Sequence, residues 1–263
     1  MKHIIIFLTA TFTILALTGS ISAQNLAEKN FRYFGRDILN DIRNFYSLRT
    51  LVIWSASLSG SAMIAYSPID PFVSYTYQEY IRGPRSDAVA RVFDPLGEWK
   101  KTWPVFLGCS VFDYIPWKKQ TSALRIIGNW GSRSSRALLL GWPSVALFQR
   151  VIGSPRPIWG SSYWQPFRYG TGVSGHAFVG AIPFLAAASM TENPLLKGIF
   201  IATSTGVSIG RINDNKHYTS QVVLGWIAAW LSIQAISKTE KSYKHTAMDI
   251  LFQVNGIRVS FNL

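Results

Sequence analysis

Apolar stretches alternate with short polar connections over most of the chain. They are Leu51–Tyr66, Trp103–Phe112, Ala137–Ile152, His176–Met190, Leu196–Ile209 and Val222–Ile236. Each is rich in alanine, leucine, isoleucine or tryptophan, which is typical of helices. Most are shorter than the ~20 residues of a comfortable membrane span. The pattern therefore predicts an all-α chain whose helices are either short tilted spans or the core helices of a compact bundle.

The N-terminus has the layout of a secretory signal. Two basic positions precede an apolar run over residues 4–17, and small residues follow up to Ala23. We predict a signal peptide over residues 1–23; an uncleaved first transmembrane helix is the alternative. The next segment, Asn25–Arg49, has the pattern of an amphipathic helix that lies on the bilayer or packs on the protein surface.

The rest of the 263-residue chain has no linker rich in proline, glycine, serine or charge. We therefore predict one domain over residues 24–245. A tail over residues 246–263 follows, and its last part, Gly256–Leu263, alternates like a short strand. We assign the tail no function.

Composition indicates a membrane protein or a membrane-associated one. Hydrophobic residues make up 48% of the chain and charged residues 15%, against about 25% charged in an average soluble protein. The net charge of +13 suits anionic lipids or phosphorylated substrates as partners. Nucleic acid is not an expected partner, because the chain lacks a basic helix, a zinc knuckle or an aromatic RNA-binding motif. The single cysteine, Cys109, excludes a metal site built from a cysteine cluster.

Two basic segments suggest a topology. One covers residues 118–136 and the other follows Ile236. If the helices span a membrane, the positive-inside bias places both on the cytoplasmic side. The connections near residues 153–175 and 210–221 then share the external, periplasmic face of a bacterial-type cell envelope. A cleaved signal conflicts with this layout unless the first apolar stretch does not span or the bundle only sits on the membrane.

The first of three polar connections contains two arginines. Arg150 and Arg156 flank a Gly-Ser-Pro turn after an apolar helix. Arginine suits phosphate because its planar guanidinium group donates two parallel hydrogen bonds and stays charged. Solvated arginines at a helix end are the plain alternative.

The second connection contains a serine, a glycine and a histidine in sequence. Ser174 is predicted to cap a helix that begins around Gly175, and His176 lies in its first turn. The free N–H groups of a helix start bind anions readily. A capping serine beside an interfacial histidine is the alternative.

The third connection runs from Gly210 to Gln221. Arg211 ends one apolar helix, a polar loop follows, and His217 opens the next helix. On its own, His217 is also consistent with an ordinary residue at the N-terminus of a helix. The three connections together are much more specific than any one of them.

These residues resemble the motifs of the type 2 phosphatidic acid phosphatase (PAP2) superfamily, which also contains vanadium haloperoxidases and bacterial acid phosphatases. The family pattern is K-x6-R-P, then P-S-G-H, then S-R-x5-H-x3-D. Arg156-Pro157 matches the first motif, Ser174-Gly175-His176 the second, and Arg211 with His217 the third. The resemblance implies an all-α bundle of about six core helices, embedded in a membrane or associated with one.

The resemblance also implies a function. The chain would hydrolyse a phosphate monoester or diphosphate, with a phosphorylated lipid as first choice and a small phosphate ester as second. His217 would form a phosphohistidine, His176 would act as acid and then base, and Gln221 would occupy the position of the aspartate that holds the nucleophile. The implied phosphate-binding residues are Arg150, Arg156, Ser174, Gly175 and Arg211. No metal or cofactor is implied, because the arginines neutralise the phosphate.

Four positions depart from the family pattern: Gln149 replaces lysine, Val173 proline, Gly210 serine and Gln221 aspartate. Arg150 replaces the lost lysine charge only if the helix end is turned by one residue. Gln221 can accept a ring N–H but stabilises a positive imidazole less well, and the loop residue Asp214 is a second candidate partner. In serine proteases a similar replacement costs about 10⁴ in rate. A weakened or inactive member is therefore one alternative; a soluble-substrate acid phosphatase and a vanadium haloperoxidase are others.

Overall fold

The computed structural model describes residues 34–115 and 121–254, which contain helices and turns but no strand. The predicted all-α class is confirmed. The predicted signal peptide, the first part of the predicted amphipathic helix and the strand-like end of the tail lie outside the described residues.

The α-helices are numbered here in chain order. They are α1 (Phe34–Phe45), α2 (Leu48–Ala65), α3 (Ile69–Thr76), α4 (Pro84–Phe93), α5 (Trp99–Ser110), α6 (Ser122–Ile152), α7 (Gly175–Met190), α8 (Pro194–Thr203), α9 (Gly206–Asn213) and α10 (Thr219–Val254). A π-helical turn continues α3, and 3-10 turns occupy Asp94–Gly97, Val111–Tyr114 and Pro157–Trp159.

Four stretches are long and apolar enough to cross a membrane: Leu48–Ala65, Ser122–Trp159, Pro194–Asn213 and Thr219–Ser242. They comprise α2, α6, α8 with α9, and the first two thirds of α10. Helices of this length and composition indicate a membrane protein.

Helix α7 lies at the centre of the bundle. It packs against α6, α8, α9 and α10, and almost all of its residues after His176 are buried. A helix that is apolar on all sides needs neighbours on all sides, and α7 has them. Helix α10 comes very close: a Cβ on Gly225 would lie 2.4 Å from the carbonyl oxygen of Ser174. Because Gly225 has no side chain, α10 can pack this close to the start of α7. These two helices begin near His217 and His176, respectively.

Helix α6 is longer than the apolar pattern predicts. The pattern indicates a helix over Ala137–Ile152, yet α6 begins at Ser122, where the Thr121 hydroxyl accepts a hydrogen bond from the backbone N–H of Leu124. The added half is polar, but Arg133 and Arg136 within it are buried. The sequence alone does not predict their burial, because the acidic side chains that surround them come from other helices.

These arginines belong to a buried charged cluster of Asp41, Arg133, Arg136 and Glu240. The Nε and Nη2 atoms of Arg136 each donate to Asp41 at 2.7 Å, and its Nη1 donates to Glu240 at 3.0 Å. Arg133 lies 2.6 Å from the other oxygen of Glu240. The cluster joins α1, α6 and α10, so α1 is packed on the bundle. The sequence left two placements open for this amphipathic helix, on the bilayer or packed on the protein surface. Residues 34–45 are packed on the protein.

Candidate active site

The three predicted motif segments meet at the other end of the bundle, about 20 Å along α6 from the charged cluster. They surround a cavity of about 220 Å³. Among the predicted residues, the structure brings Gln149, Arg156, Gly175, His176 and His217 into its lining. The remaining lining residues are Gly97, Trp99, Trp142, Gly170, Thr171, Val173 and Val179.

His217 is buried and hydrogen-bonded to Gln221. Its Nδ1 atom lies 2.8 Å from Oε1 of Gln221. The same oxygen accepts the backbone N–H of Tyr218 at 3.1 Å, while Nε2 of Gln221 donates to the carbonyl oxygen of Pro155 at 2.8 Å and to Ser154 at 2.9 Å. A backbone N–H only donates and a carbonyl only accepts, so these contacts fix which side of the amide is oxygen. We therefore assign the proton to Nδ1, which leaves a lone pair on Nε2.

The surroundings keep His217 uncharged. Burial lowers the pKa of His217 to about 3; the hydrogen bond to Gln221 opposes this, and the charges of Arg211 and Arg156 add to it. At neutral pH the imidazole is therefore neutral. The alternative partner weighed from the sequence, Asp214, instead contacts Lys216 at 3.2 Å and Asn213 at 3.3 Å.

Two arginines lie close enough to His217 for their charges to lower its pKa, and only Arg156 belongs to the cavity lining. Arg156 lies on the cavity wall, with its guanidinium carbon 5.1 Å from the centre of the Trp159 ring. Arg211 is only 4% exposed, and its Nη1 donates to Asp94 at 2.6 Å. The Nε atoms of both are buried without a hydrogen-bond partner. An unmet buried donor on a cation is costly unless an anion supplies the acceptor.

The other predicted phosphate ligands differ in position. Ser174 is fully buried, and its hydroxyl accepts the N–H of Ala177 at 3.3 Å, as the predicted helix cap requires. Gln149 faces the cavity and donates to the carbonyl oxygen of Val173 at 3.1 Å. Arg150 is exposed and lies beside Gly170, outside the lining. The structure therefore does not bring the Arg150 charge to the position of the missing lysine.

Sequence reasoning missed the role of the turn before α5. Gly97 lies so close to His176 that a Cβ there would be 2.9 Å from the histidine Cβ. Asp94, three residues earlier, holds Arg211. Asp94 had no local signal in the sequence, because its partner Arg211 is far along the chain.

Asp70 holds the start of the helix that follows His217. It is fully buried and accepts the backbone N–H and the hydroxyl of Ser220 at 3.0 and 2.5 Å. Burial raises the pKa of Asp70, and these hydrogen bonds lower it. A carboxylate from α3 thus caps α10 at Ser220, three residues after His217 and next to Gln221.

We expect Asp70→Ala to lower the free energy of unfolding by about 1–2 kcal/mol, the typical value of a lost helix cap. Thermal unfolding in detergent, followed by circular dichroism, measures the change. Asp70→Asn is the matched control, because its amide oxygen still accepts the Ser220 N–H. If both variants unfold like the wild type, Asp70 does not act as a cap.

Comparison with known proteins gives one match. Residues 134–243 match the family model described as the PAP2 superfamily. No curated protein and no solved structure matches the chain. The matched segment runs from the middle of α6 into α10, and it contains all three motif segments. PAP2 proteins are in general phosphatase-type hydrolases, so a phosphatase-type function is supported. The match over residues 134–243 supports the assignment to the PAP2 superfamily that the motifs predicted.

Proposed function

We propose that this protein hydrolyses a phosphate monoester or diphosphate of a lipid through a phosphohistidine on His217. The observation that carries the proposal is the hydrogen bond from His217 Nδ1–H to Gln221, in a cavity shared with Arg156 and His176. It supports the proposal because it favours the tautomer in which Nε2 carries the lone pair that a nucleophile needs.

In the first step, the Nε2 lone pair of His217 forms a bond to phosphorus while the bond from phosphorus to the leaving oxygen breaks. His176 donates its proton to that oxygen. Arg156 and Arg211 hold the phosphoryl oxygens, and the Gly175 N–H adds a donor at the helix start. Ser174 supports this turn through its cap.

In the second step, water attacks the phosphohistidine. His176 removes a proton from the water, the phosphorus–nitrogen bond breaks, and inorganic phosphate leaves with Nε2 free again. Gln221 keeps the proton on Nδ1 throughout. As a neutral amide it stabilises the positive ring less than a carboxylate would, so we expect slower turnover than a family member with aspartate at this position.

The lipid nature of the substrate is supported by the surroundings of the cavity. Trp99 and Trp142 form part of its wall, and Trp142 is on a candidate membrane span. An apolar substrate group in the bilayer would therefore reach the cavity without passing through water.

The test is phosphate release by the purified protein in detergent from phosphatidate, a prenyl diphosphate and p-nitrophenyl phosphate. We expect release without added metal, in the presence of a chelator, and inhibition by vanadate, which resembles the five-coordinate phosphorus. Halide oxidation by the vanadate-loaded protein would favour the haloperoxidase alternative. If no substrate releases phosphate, the inactive alternative replaces the proposal.

A further inference from the structure

A second cavity lies between the turn that joins α1 to α2 and one face of α10. It has a volume of about 270 Å³. Arg49, Lys238 and Lys241 line it together with hydroxyl, amide and apolar side chains, and no acidic residue belongs to its described lining. Asn44 in its wall donates a hydrogen bond to Thr239 at 2.9 Å, which fastens the turn to α10. We call this cavity the basic pocket; it shares no lining residue with the cavity at the candidate active site.

The positive charge of the basic pocket is not neutralised within the described part of the chain. None of its three cations forms an ion pair there. Glu240 stands between Lys238 and Lys241 in the sequence, but its carboxylate is held by Arg133 and Arg136 in the charged cluster. An anion that enters the pocket therefore meets cations that no described carboxylate occupies, and their charge attracts it.

The side chains of the basic pocket suit a phosphate group. Gln234, Lys238 and Lys241 lie four and three residues apart, so they follow one face of α10. Arg49 contributes from the start of α2. Arginine donates two parallel hydrogen bonds to phosphate, lysine binds it as a point charge, and the Ser47 hydroxyl and Gln234 amide are further donors. Such a set of cations and donors favours a phosphate group, which offers several acceptor oxygens.

The basic pocket lies at one end of two candidate membrane spans. Arg49 is the second residue of Leu48–Ala65, and Lys238 lies in the last turns of Thr219–Ser242. Along α10, the distance from its first residue to Lys238 is about 28 Å, close to the ~30 Å thickness of a bilayer hydrocarbon core. Because α10 begins just after His217, a membrane with the candidate active site at one surface has the basic pocket at the other.

The lining of the basic pocket changes from basic to apolar along these spans. Ile53 lies one turn further into α2 than Arg49, and Leu231 lies about two turns further into α10 than Lys238. An occupant would therefore have its charged part at the membrane surface and an apolar part toward the middle. That is the polarity of a phospholipid, whereas a free phosphate would leave the apolar part of the lining without a partner.

We propose that the basic pocket binds the phosphate group of an anionic phospholipid, in the leaflet away from the candidate active site. Basic pockets between membrane helices are suited to anionic headgroups, because each nearby lysine or arginine adds attraction to the negative lipid. The bound lipid would join the turn before α2 to α10 through its contacts to both. The inference does not rest on the phosphatase function, since the two cavities share no residue.

Two pairs of substitutions test the basic pocket. Arg49→Gln with Lys238→Gln removes two of its cations. Arg43→Gln with Lys197→Gln is the matched control, because it removes the same two residue types from exposed positions of α1 and α8, outside the lining. All four positions are exposed and helical, where glutamine is well tolerated, so both pairs should fold. Neither pair touches the cavity that contains His217, so any lipid bound there is common to all the proteins.

The measurement is native mass spectrometry of the full chain in detergent, titrated with phosphatidylglycerol or phosphatidylcholine. For the wild type and the control pair, we expect one phosphatidylglycerol to bind more tightly than phosphatidylcholine. For the pair at Arg49 and Lys238, we expect the Kd of that phosphatidylglycerol to rise about fivefold for each cation removed. Equal affinity of the wild type for the two lipids, or equal weakening in both pairs, would overturn the inference.

A soluble headgroup separates a lipid site from a site for free phosphate. Glycerophosphoglycerol has the phosphate diester of phosphatidylglycerol but no acyl chain. We expect it not to displace the bound lipid at concentrations where phosphatidylglycerol saturates the site. If it displaces the lipid as readily as phosphatidylglycerol does, Ile53 and Leu231 do not contribute and the assignment to a phospholipid is wrong.

Discussion

His217→Ala is expected to abolish phosphate release, with kcat lower by at least about 10⁴-fold on every substrate. The reason is that Nε2 of His217 supplies the electron pair that bonds to phosphorus, and no other imidazole in the cavity has its Nδ1 proton fixed by Gln221. An acid-labile phosphoenzyme, trapped from radiolabelled substrate, should form in the wild type and be absent from the variant.

His176→Ala is compared with His217→Ala, because it removes the proposed general acid and leaves the proposed nucleophile in place. Loss of a general acid costs about 10²–10⁴ with an alkyl ester, whose leaving oxygen needs a proton. With p-nitrophenyl phosphate the leaving group departs without one, so the loss should be much smaller and the phosphoenzyme should still form. A phosphoenzyme in His217→Ala would assign the nucleophile elsewhere.

Arg136→Met is expected to give the largest loss of stability, about 3–5 kcal/mol, because it leaves the buried Asp41 without its ion-pair partner and leaves Glu240 with Arg133 alone. Arg136 is 3% exposed and contacts both Asp41 and Glu240. Burial raises the pKa of Asp41 even with the guanidinium beside it. Without Arg136, protonation would be the least costly state of these carboxyls, so the loss should shrink as the pH is lowered.

The matched control is Arg82→Met. Arg82 forms an ion pair with Asp87 at 3.3 Å, but both side chains are substantially exposed, and water and salt screen such pairs so that they contribute little to stability. Chemical or thermal unfolding in detergent compares the two variants. Similar losses in both would mean that the charged cluster does not anchor α1 and α10.

The sequence predicted those parts of the site that depend on local spacing. Ser174 as a helix cap and Gln221 one turn after His217 follow from helix geometry alone, and both contacts are present. It did not predict contacts between distant elements. Asp70 reaches Ser220 and Asp94 reaches Arg211 only after the bundle has assembled.

The same limit applies to α6. The burial of Arg136 could not be predicted from the sequence, because its neutralising carboxylates come from α1 and α10. Arg150 was a candidate phosphate ligand because helical periodicity does not give the rotation of a helix end, and that rotation turns Gln149 to the cavity.

The ion pair between Asp94 and Arg211 makes a carboxylate of the protein a competitor for any anion that binds the Nη1 atom of Arg211. For such an anion, the apparent affinity is the intrinsic affinity multiplied by the fraction of molecules in which Nη1 is free. A doubly charged phosphate competes well with one carboxylate, whereas a singly charged carboxylate or sulfate ester gains little from the exchange. Asp94 would thereby act as an internal competitor that screens out the many monoanions of a cell.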